Sequence, residues 1–256
     1  MIKSEIVNNV GQIFLNRPDK YHSFVREMAL ELQEILSRYS KNENVRAILI
    51  TAKGKAFCAG QDLNEAIDPN QPDITQIIDE HYNPIIKLIR NIEKPIIAAV
   101  NGVAAGAGAS LALACDIVLA SEHATFIQAF CKIGLIPDSG ATFILPRLIG
   151  MQRASSLMLT GDPIDANEAK NIGLVYKVFE HNTFEQESIK FSERLAKMPT
   201  KGLGLTKKAL NNSINNTLGE QLEIEKNFQT LAAKSNDYNE GVQAFLEKRK
   251  PYFKGN

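Results

Sequence analysis

The chain has 256 residues, with 29 basic and 29 acidic side chains and a formal net charge of zero. A general affinity for nucleic acid or for an anionic membrane, each of which calls for a basic face, is not expected. Three cysteines, odd in number and without metal-ligand spacing, point to reduced thiols and no metal site.

A chain of this length can bury a sizeable core as one domain with an appendage. The N-terminus, MIKSEIVNNV, lacks the apolar core of a signal peptide, which predicts a cytoplasmic protein. No fixed-period repeat or low-complexity segment stands out.

In chain order, Val10–Leu15 reads as a strand and Asn16-Arg17-Pro18-Asp19 as a turn. Ser23 is placed to cap a helix running to about Tyr39, with Val25, Met28, Ala29, Leu32, Ile35, Leu36 and Tyr39 at helical spacing on one face. Val45–Thr51 is a continuous apolar run, as in a parallel strand buried on both faces. The segment KGKAFCAGQD, Lys53 to Asp62, then forms a loop of small residues. Ile74 to Ile92 carries an interrupted helical pattern that Pro84 is expected to kink.

The stretch IIAAVNGVAAGAGASLALACD, Ile96 to Asp116, is the centre of the chain. Ile96 to Val100 reads as a buried strand, Gly106 and Gly108 permit close backbone approach, and Ser110 to Cys115 continues as a helix. A helix start after a glycine turn offers free backbone N–H groups to an oxygen that carries or develops negative charge. A transmembrane helix is disfavoured by Asn101 and the glycines, and a dinucleotide turn by the spacing. A plain packing turn remains open on this stretch alone.

Beyond Asp116, IVLAS is another strand and Ala124-Thr125-Phe126 a short one. Phe130 to Ile133 reads as a brief helix, and Gly134 to Gly140 as a loop with Asp138 at its tip. Leu157 to Thr160, Ala166 to Asn171 and Leu174 to Val178 follow as helix, helix and strand. From Glu185 the pattern is helical, with a break at Pro199, and two or three helices lead to a basic tail. An α/β core of residues 1–199 with a helical region of residues 200–256 is the expected organisation.

Two loops, KAFCAGQDL and AVNGVAAGAGASLALACDI, followed by KIGLIPDSG, LTGDPIDANEAKNIGLVYKV and EGVQAFLEKRKPYF, resemble the enoyl-CoA hydratase/isomerase (crotonase) superfamily over nearly the whole chain. FCKIGLIPDSG and AAKSNDYNEGVQAFLEKRKP resemble most its phenylacetate-pathway isomerases, whose reaction turns a ring-1,2-epoxyphenylacetyl-CoA into an oxepin-CoA. The resemblance implies an α/β fold, a spiral of repeated β-β-α units with a helical C-terminal region that builds trimers or hexamers. It implies an acyl-CoA thioester as substrate and no cofactor, since CoA arrives with the substrate. It also implies an oxyanion hole made of the backbone N–H groups of Gln61 and Ala107.

The two glutamates that hydratases of this family use align with Ser110 and Phe130, so two-acid hydration is not expected. The acid that remains is Asp138. Pro-Asp-Ser-Gly also makes a good turn by itself, so a capping role is the bland alternative. The resemblance assigns Asp138 acid–base catalysis, for which one carboxylate suffices in a proton shift. Gly140-Ala141 replaces the family's usual double glycine and adds a methyl group beside Asp138.

By the same resemblance Lys20, Ala59, Asp62 and Leu63 contribute to CoA binding, with Asp62 chiefly fixing its loop. Phe245 and Lys248, three apart on one expected helical face, would reach the adenine and 3′-phosphate of CoA on a neighbouring subunit. Asp116 is expected to be structural, and His22, His81, His123 and His181 are scattered without nucleophile or metal spacing. The competing readings are a fatty acyl Δ3,Δ2-enoyl-CoA isomerase, a hydratase and, from another class, a non-catalytic acyl-CoA or RNA-binding member.

Overall fold

Residues 1–256 are all described by the computed structural model, which contains two sheets. The larger joins β1 (Ile2–Val7), β2 (Val10–Leu15), β3 (Ala47–Ala52), β5 (Ile96–Val100), β7 (Ile117–Ser121) and β10 (Lys177–Phe179), in the order β1-β2-β3-β5-β7-β10. The smaller joins β4 (Ala56–Cys58), β6 (Val103–Ala105), β8 (Thr125–Ile127) and β9 (Ile164–Asp165), in that order. Strands β3, β5 and β7 are each followed at once by a partner in the smaller sheet, and each pair leads into helix. This is the β-β-α spiral. All neighbours are parallel except β1 with β2 and β8 with β9.

The strands at the centre read as unbroken apolar runs because both their faces are covered. In β3, Ile48 and Ile50 face a large core shared with α1 (Arg26–Lys41). Ala47 and Leu49 face a smaller one. The period of two along a strand produces this division. Helix α1 buries Met28, Ala29, Leu32, Ile35, Leu36 and Tyr39, the stripe its spacing predicts. Its first residue is Arg26, however, and Val25 at its start makes no side-chain cap. Ser23 serves the preceding turn instead, its carbonyl and hydroxyl both accepting from Arg17.

Strand β1 has no buried apolar run to announce it, since five of its six residues are exposed. It pairs with β2 through a tight hairpin whose turn residues, Asn8 and Asn9, have φ of 50° and 63°. Asparagine tolerates that left-handed geometry. After β4 come two short helices, α2 (Leu63–Ala66) and α3 (Ile74–Gln76). The interruption expected at Pro84 lies earlier, in a π-helical turn over Ile77–Tyr82. Pro84 sits in the first turn of α4 (Asn83–Asn91), where its missing N–H is of no consequence.

Helix α5 (Ala107–Ala114) begins three residues before the expected Ser110 and is buried along its whole length. Two helices, α6 (Ala141–Ile149) and α7 (Met151–Thr160), stand where only Leu157 to Thr160 was expected helical. Pro146 inside α6 and the φ +80° Gly150 between the helices disguise the periodicity. The next helix, α8 (Ala166–Asn171), is as expected, while the paired part of the following strand is limited to β10. The long α9 (His181–Ala196) starts at His181 rather than Glu185 and covers the smaller core with Phe184 and Ala196.

After Pro199 come α10 (Thr200–Ser213), α11 (Leu218–Ala232) and α12 (Asn236–Leu246). Helix α10 lies hard against the core: a Cβ on Gly204 would sit 2.3 Å from the Glu93 carbonyl oxygen. Helix α11 buries nothing in the single chain. The final residues fold back, with Arg46 donating to the carbonyl of Phe253 (2.8 Å) and Asp237 accepting from the backbone of Gly255 (2.8 Å). Phe245 and Lys248 do not share a helical face. The helix ends at Leu246, and Lys248 has a left-handed φ of 54°. No helix is long and apolar enough to cross a membrane.

Candidate active site

Strands β4 and β6 are parallel neighbours, so their C-terminal ends lie side by side and the loops leaving them meet. The contact is backbone to backbone. A Cβ on Gly60 would stand 3.1 Å from the Ala105 carbonyl oxygen and 3.3 Å from the Ala107 nitrogen. A Cβ on Gly108 would stand 2.3 Å from the Cys58 carbonyl oxygen, closer than any side chain tolerates. Gly60 also has φ +90°, where an L side chain is strained. These two glycines bring the two loops within reach of one ligand atom.

Residue 61 is fixed by its flanks. Phe24 N–H donates to the Gly60 carbonyl (2.7 Å), and Asp62 N–H donates to the Phe24 carbonyl (2.8 Å). That parallel-bridge pattern uses the groups on either side of Gln61 and turns its own N–H away from Phe24. Ala107 is the first residue of α5, so its N–H has no partner within the helix. Gly106 precedes it at φ 53° and makes no side-chain cap.

Both residues line a cavity of about 470 Å³. Lys20, Ala59, Asp62, Leu63 and Asp138 line it too, together with Tyr82, Phe130, Ile77 and Lys132. The structure thus brings together every site residue named from the sequence except Phe245 and Lys248, which do not line this cavity. Phe245 is 83% exposed.

Asp138 is half-buried at the tip of the loop before α6, and no Lys or Arg pairs with it. Burial pushes its carboxyl above the usual carboxylate range, opposed mainly by the Ser139 hydroxyl, which donates to Oδ1 at 2.8 Å. Ser139 adopts φ 54° to do so. Its carboxylate does not cap the following helix, because α6 has Gly140 at its start and no side-chain cap. The Asp138 carbonyl, not its carboxylate, accepts from Ala141 N–H.

The other loop acid behaves differently. Burial acts to raise the Asp62 carboxyl, but Arg17 (2.9 Å) and Asn64 (3.1 Å) outweigh it and hold it below its ordinary value. Asp62 caps α2 and ties the loop to the Arg17 turn. The two aligned hydratase positions hold no acid. Ser110 is buried and its hydroxyl donates to the Gly106 carbonyl at 3.2 Å, while Phe130 presents an aromatic ring to the cavity.

Sequence reasoning missed Tyr82 and Lys132 as lining residues. Tyr82 and Ile77 sit at the two ends of the π-helical turn, whose period neither the helical nor the strand pattern detects. Lys132 is the one positively charged position in the brief helix before Gly134, and that isolated charge was the available signal.

A fold of β-β-α turns with a cavity of about 470 Å³ where two loops meet defines a class. The chain belongs to the enoyl-CoA hydratase/isomerase family, whose model matches residues 5–256. It is 44% identical to the 1,2-epoxyphenylacetyl-CoA isomerase of Escherichia coli (strain K12), over 99% of this chain and 98% of that one. It is 35% identical to the trans-2-decenoyl-[acyl-carrier-protein] isomerase of Streptococcus mutans, over 97% of this chain and 95% of that one. The enoyl-CoA hydratase crystal structure from Bacillus anthracis superposes with a TM-score of 0.92 at 36% identity, covering 100% of this chain and 99% of that one. The chain is therefore an enzyme of this family, with isomerases among its relatives.

Proposed function

We propose that this enzyme isomerises acyl-CoA thioesters with Asp138 as its single acid–base group. The N–H groups of Gln61 and Ala107 hold the thioester oxygen. Asp138 takes a proton from the α-carbon, and the charge passes to that oxygen, where two fixed donors gain most because the charge is new. The same carboxyl, now protonated, returns the proton to another carbon, so the atoms of substrate and product balance without water. CoA comes with the substrate, and the chemistry calls for no metal or redox group.

The observation that carries this reading is the composition of the cavity. Of the three acids that line it, Asp19 is exposed to solvent and Asp62 is paired with Arg17, which leaves Asp138 as the half-buried acid without a cation, and the two positions at which hydratases hold glutamates are Ser110 and Phe130. Hydration needs one group to activate water and another to handle the α-proton, whereas a proton shift needs only one. The rings of Tyr82 and Phe130 beside Ile77 suit a cyclic acyl group. With the 44% relative, they favour ring-1,2-epoxyphenylacetyl-CoA as the physiological substrate. A shift of the double bond in a linear 3-enoyl thioester is a second activity of the same site, favoured by the decenoyl isomerase relative.

Lys20, Ala59 and Leu63 hold the CoA arm at the cavity mouth, and Phe245 and Lys248 of an adjacent subunit close over its adenine end in a trimer or hexamer in the cytoplasm. The unburied face of α11 and the 83% exposed Phe245 support an assembly of this kind.

Purified protein is expected to convert 3-enoyl-CoA to its conjugated isomer, and ring-epoxide thioester to oxepin-CoA, much faster than it hydrates crotonyl-CoA. Hydration of crotonyl-CoA at about 10 per second or more, an ordinary enzymatic rate, would overturn the single-acid reading.

A further inference from the structure

Around Gln61 the side chains are arranged with more care than a cavity wall requires. Tyr82 is 1% exposed and borders the cavity. Its hydroxyl donates to Gln61 Oε1 at 3.0 Å. The other end of the same amide, Nε2, donates to Glu65 Oε2 at 2.7 Å. Glu65 is itself held, its Oε1 accepting from the backbone N–H of Arg26 at 2.8 Å. The Tyr82 ring leans on Phe24 with centroids 5.9 Å apart, and Phe24 is the residue whose backbone clamps both flanks of Gln61.

The amide of Gln61 is therefore gripped at both ends, and its backbone on both sides. Surface glutamines do not need this, because water satisfies them at no cost. Tyr82 owes its position to the π-helical turn. There Asn83 N–H reaches back five residues to the Ile78 carbonyl, so the last residue of the turn is rotated relative to an ordinary helix. Such turns cost helical hydrogen-bond geometry and are retained where they place a group.

We infer that Tyr82 is a positioning residue that aims the Gln61 N–H at the substrate oxygen by locking the Gln61 side chain against Glu65. The inference rests on the reading of Gln61 as an oxyanion donor. Donor direction matters here because the gain from a donor falls steeply with misalignment, and displacements well under 1 Å change rates. Tyr82 acts on the amide of residue 61 and does not itself exchange a proton.

Tyr82→Phe keeps the ring and its packing on Phe24 and removes only the donor. The expected result with a 3-enoyl-CoA substrate is kcat lowered about ten-fold with KM within about two-fold. Gln61→Met keeps the backbone N–H and the reach of the side chain while removing both hydrogen bonds, and should lower kcat by a similar factor. Because Tyr82 works through Gln61, adding Tyr82→Phe to Gln61→Met should cost less than about two-fold more. The acid limb of the pH–rate profile should stay in place in Tyr82→Phe.

Full additivity of the two substitutions, a change in KM alone, or an acid limb displaced in Tyr82→Phe would each overturn the inference, the last by showing that Tyr82 acts on Asp138. Failure of the underlying reading has a different signature: a wild-type protein with no isomerase activity, or an Asp138→Asn variant that keeps it.

Discussion

Two half-buried acids, in two regions of the molecule, are pushed in the same direction and sit in opposite surroundings. Asp116 lies where α5 ends and β7 begins. Its carboxylate accepts from Ile96 N–H (2.8 Å) and Lys207 Nζ (2.8 Å), with Arg90 at 3.6 Å. Asp138 lies on the cavity with the Ser139 hydroxyl and its own backbone N–H beside its carboxylate, and no cation. Burial raises the carboxyl of each above its ordinary value. At Asp116 the cations oppose that rise and fix the charge, and the group clamps α10 to the sheet. At Asp138 no cation does so, and the proton is free to come and go. A raised pKa alone does not separate the two acids; the lack of a cation beside the cavity does, and it supports the acid–base role proposed for Asp138.

The largest expected effect separates the two at once. Asp138→Asn should lower kcat by about two to four orders of magnitude, the usual worth of a general base, while a folded Asp116→Asn keeps activity within a few-fold. Stability should show the reverse. Losing the Asp116 charge leaves Lys207, 7% exposed, without its counter-ion. Removal of one partner from a buried pair costs about 3 kcal/mol. Chemical denaturation of both variants measures this, and equal midpoints would erase the distinction.

The pH dependence is a smaller and sharper test. Because burial raises the folded pKa of Asp138, the native chain binds more protons than the unfolded one between the two values. This group's contribution to stability therefore falls as pH rises through that window, and its ionised form is a cost at neutral pH. Asp138→Asn is accordingly expected to melt no lower than wild type at pH 7. The acid limb of kcat/KM should report ionisation of a base whose pKa lies above the ordinary 3.8. A limb at or below that value would place the titrating group elsewhere.

Much of this was legible in the sequence because the glycines and the apolar runs leave one-dimensional traces. Gly60 and Gly108 announce the close approach of two loops, and Ile96 to Val100 announces a strand covered on both sides. Through the family resemblance, Ser110 and Phe130 also show that the two hydratase acids are missing. What did not show has physical causes. Strand β1 faces solvent and carries no buried pattern. Helix α6 hides behind Pro146. The π-helical turn breaks the period of 3.6, so Tyr82 and Ile77 could not be assigned a face, and the grip on Gln61 went unseen. Lys248 was placed on a helix that ends two residues earlier, because the order of residues around Leu246 carries no stop signal before Pro251.

The most direct test of the central claim follows the proton itself. In heavy water, an acyl-CoA that binds but has no double bond to move should exchange its α-protons for deuterium on the wild-type enzyme, as read by nuclear magnetic resonance. Asp138→Asn should bind the same thioester with similar affinity and show exchange reduced at least about a hundred-fold. Exchange at the wild-type rate in Asp138→Asn would mean that another group removes the α-proton, and would contradict the account.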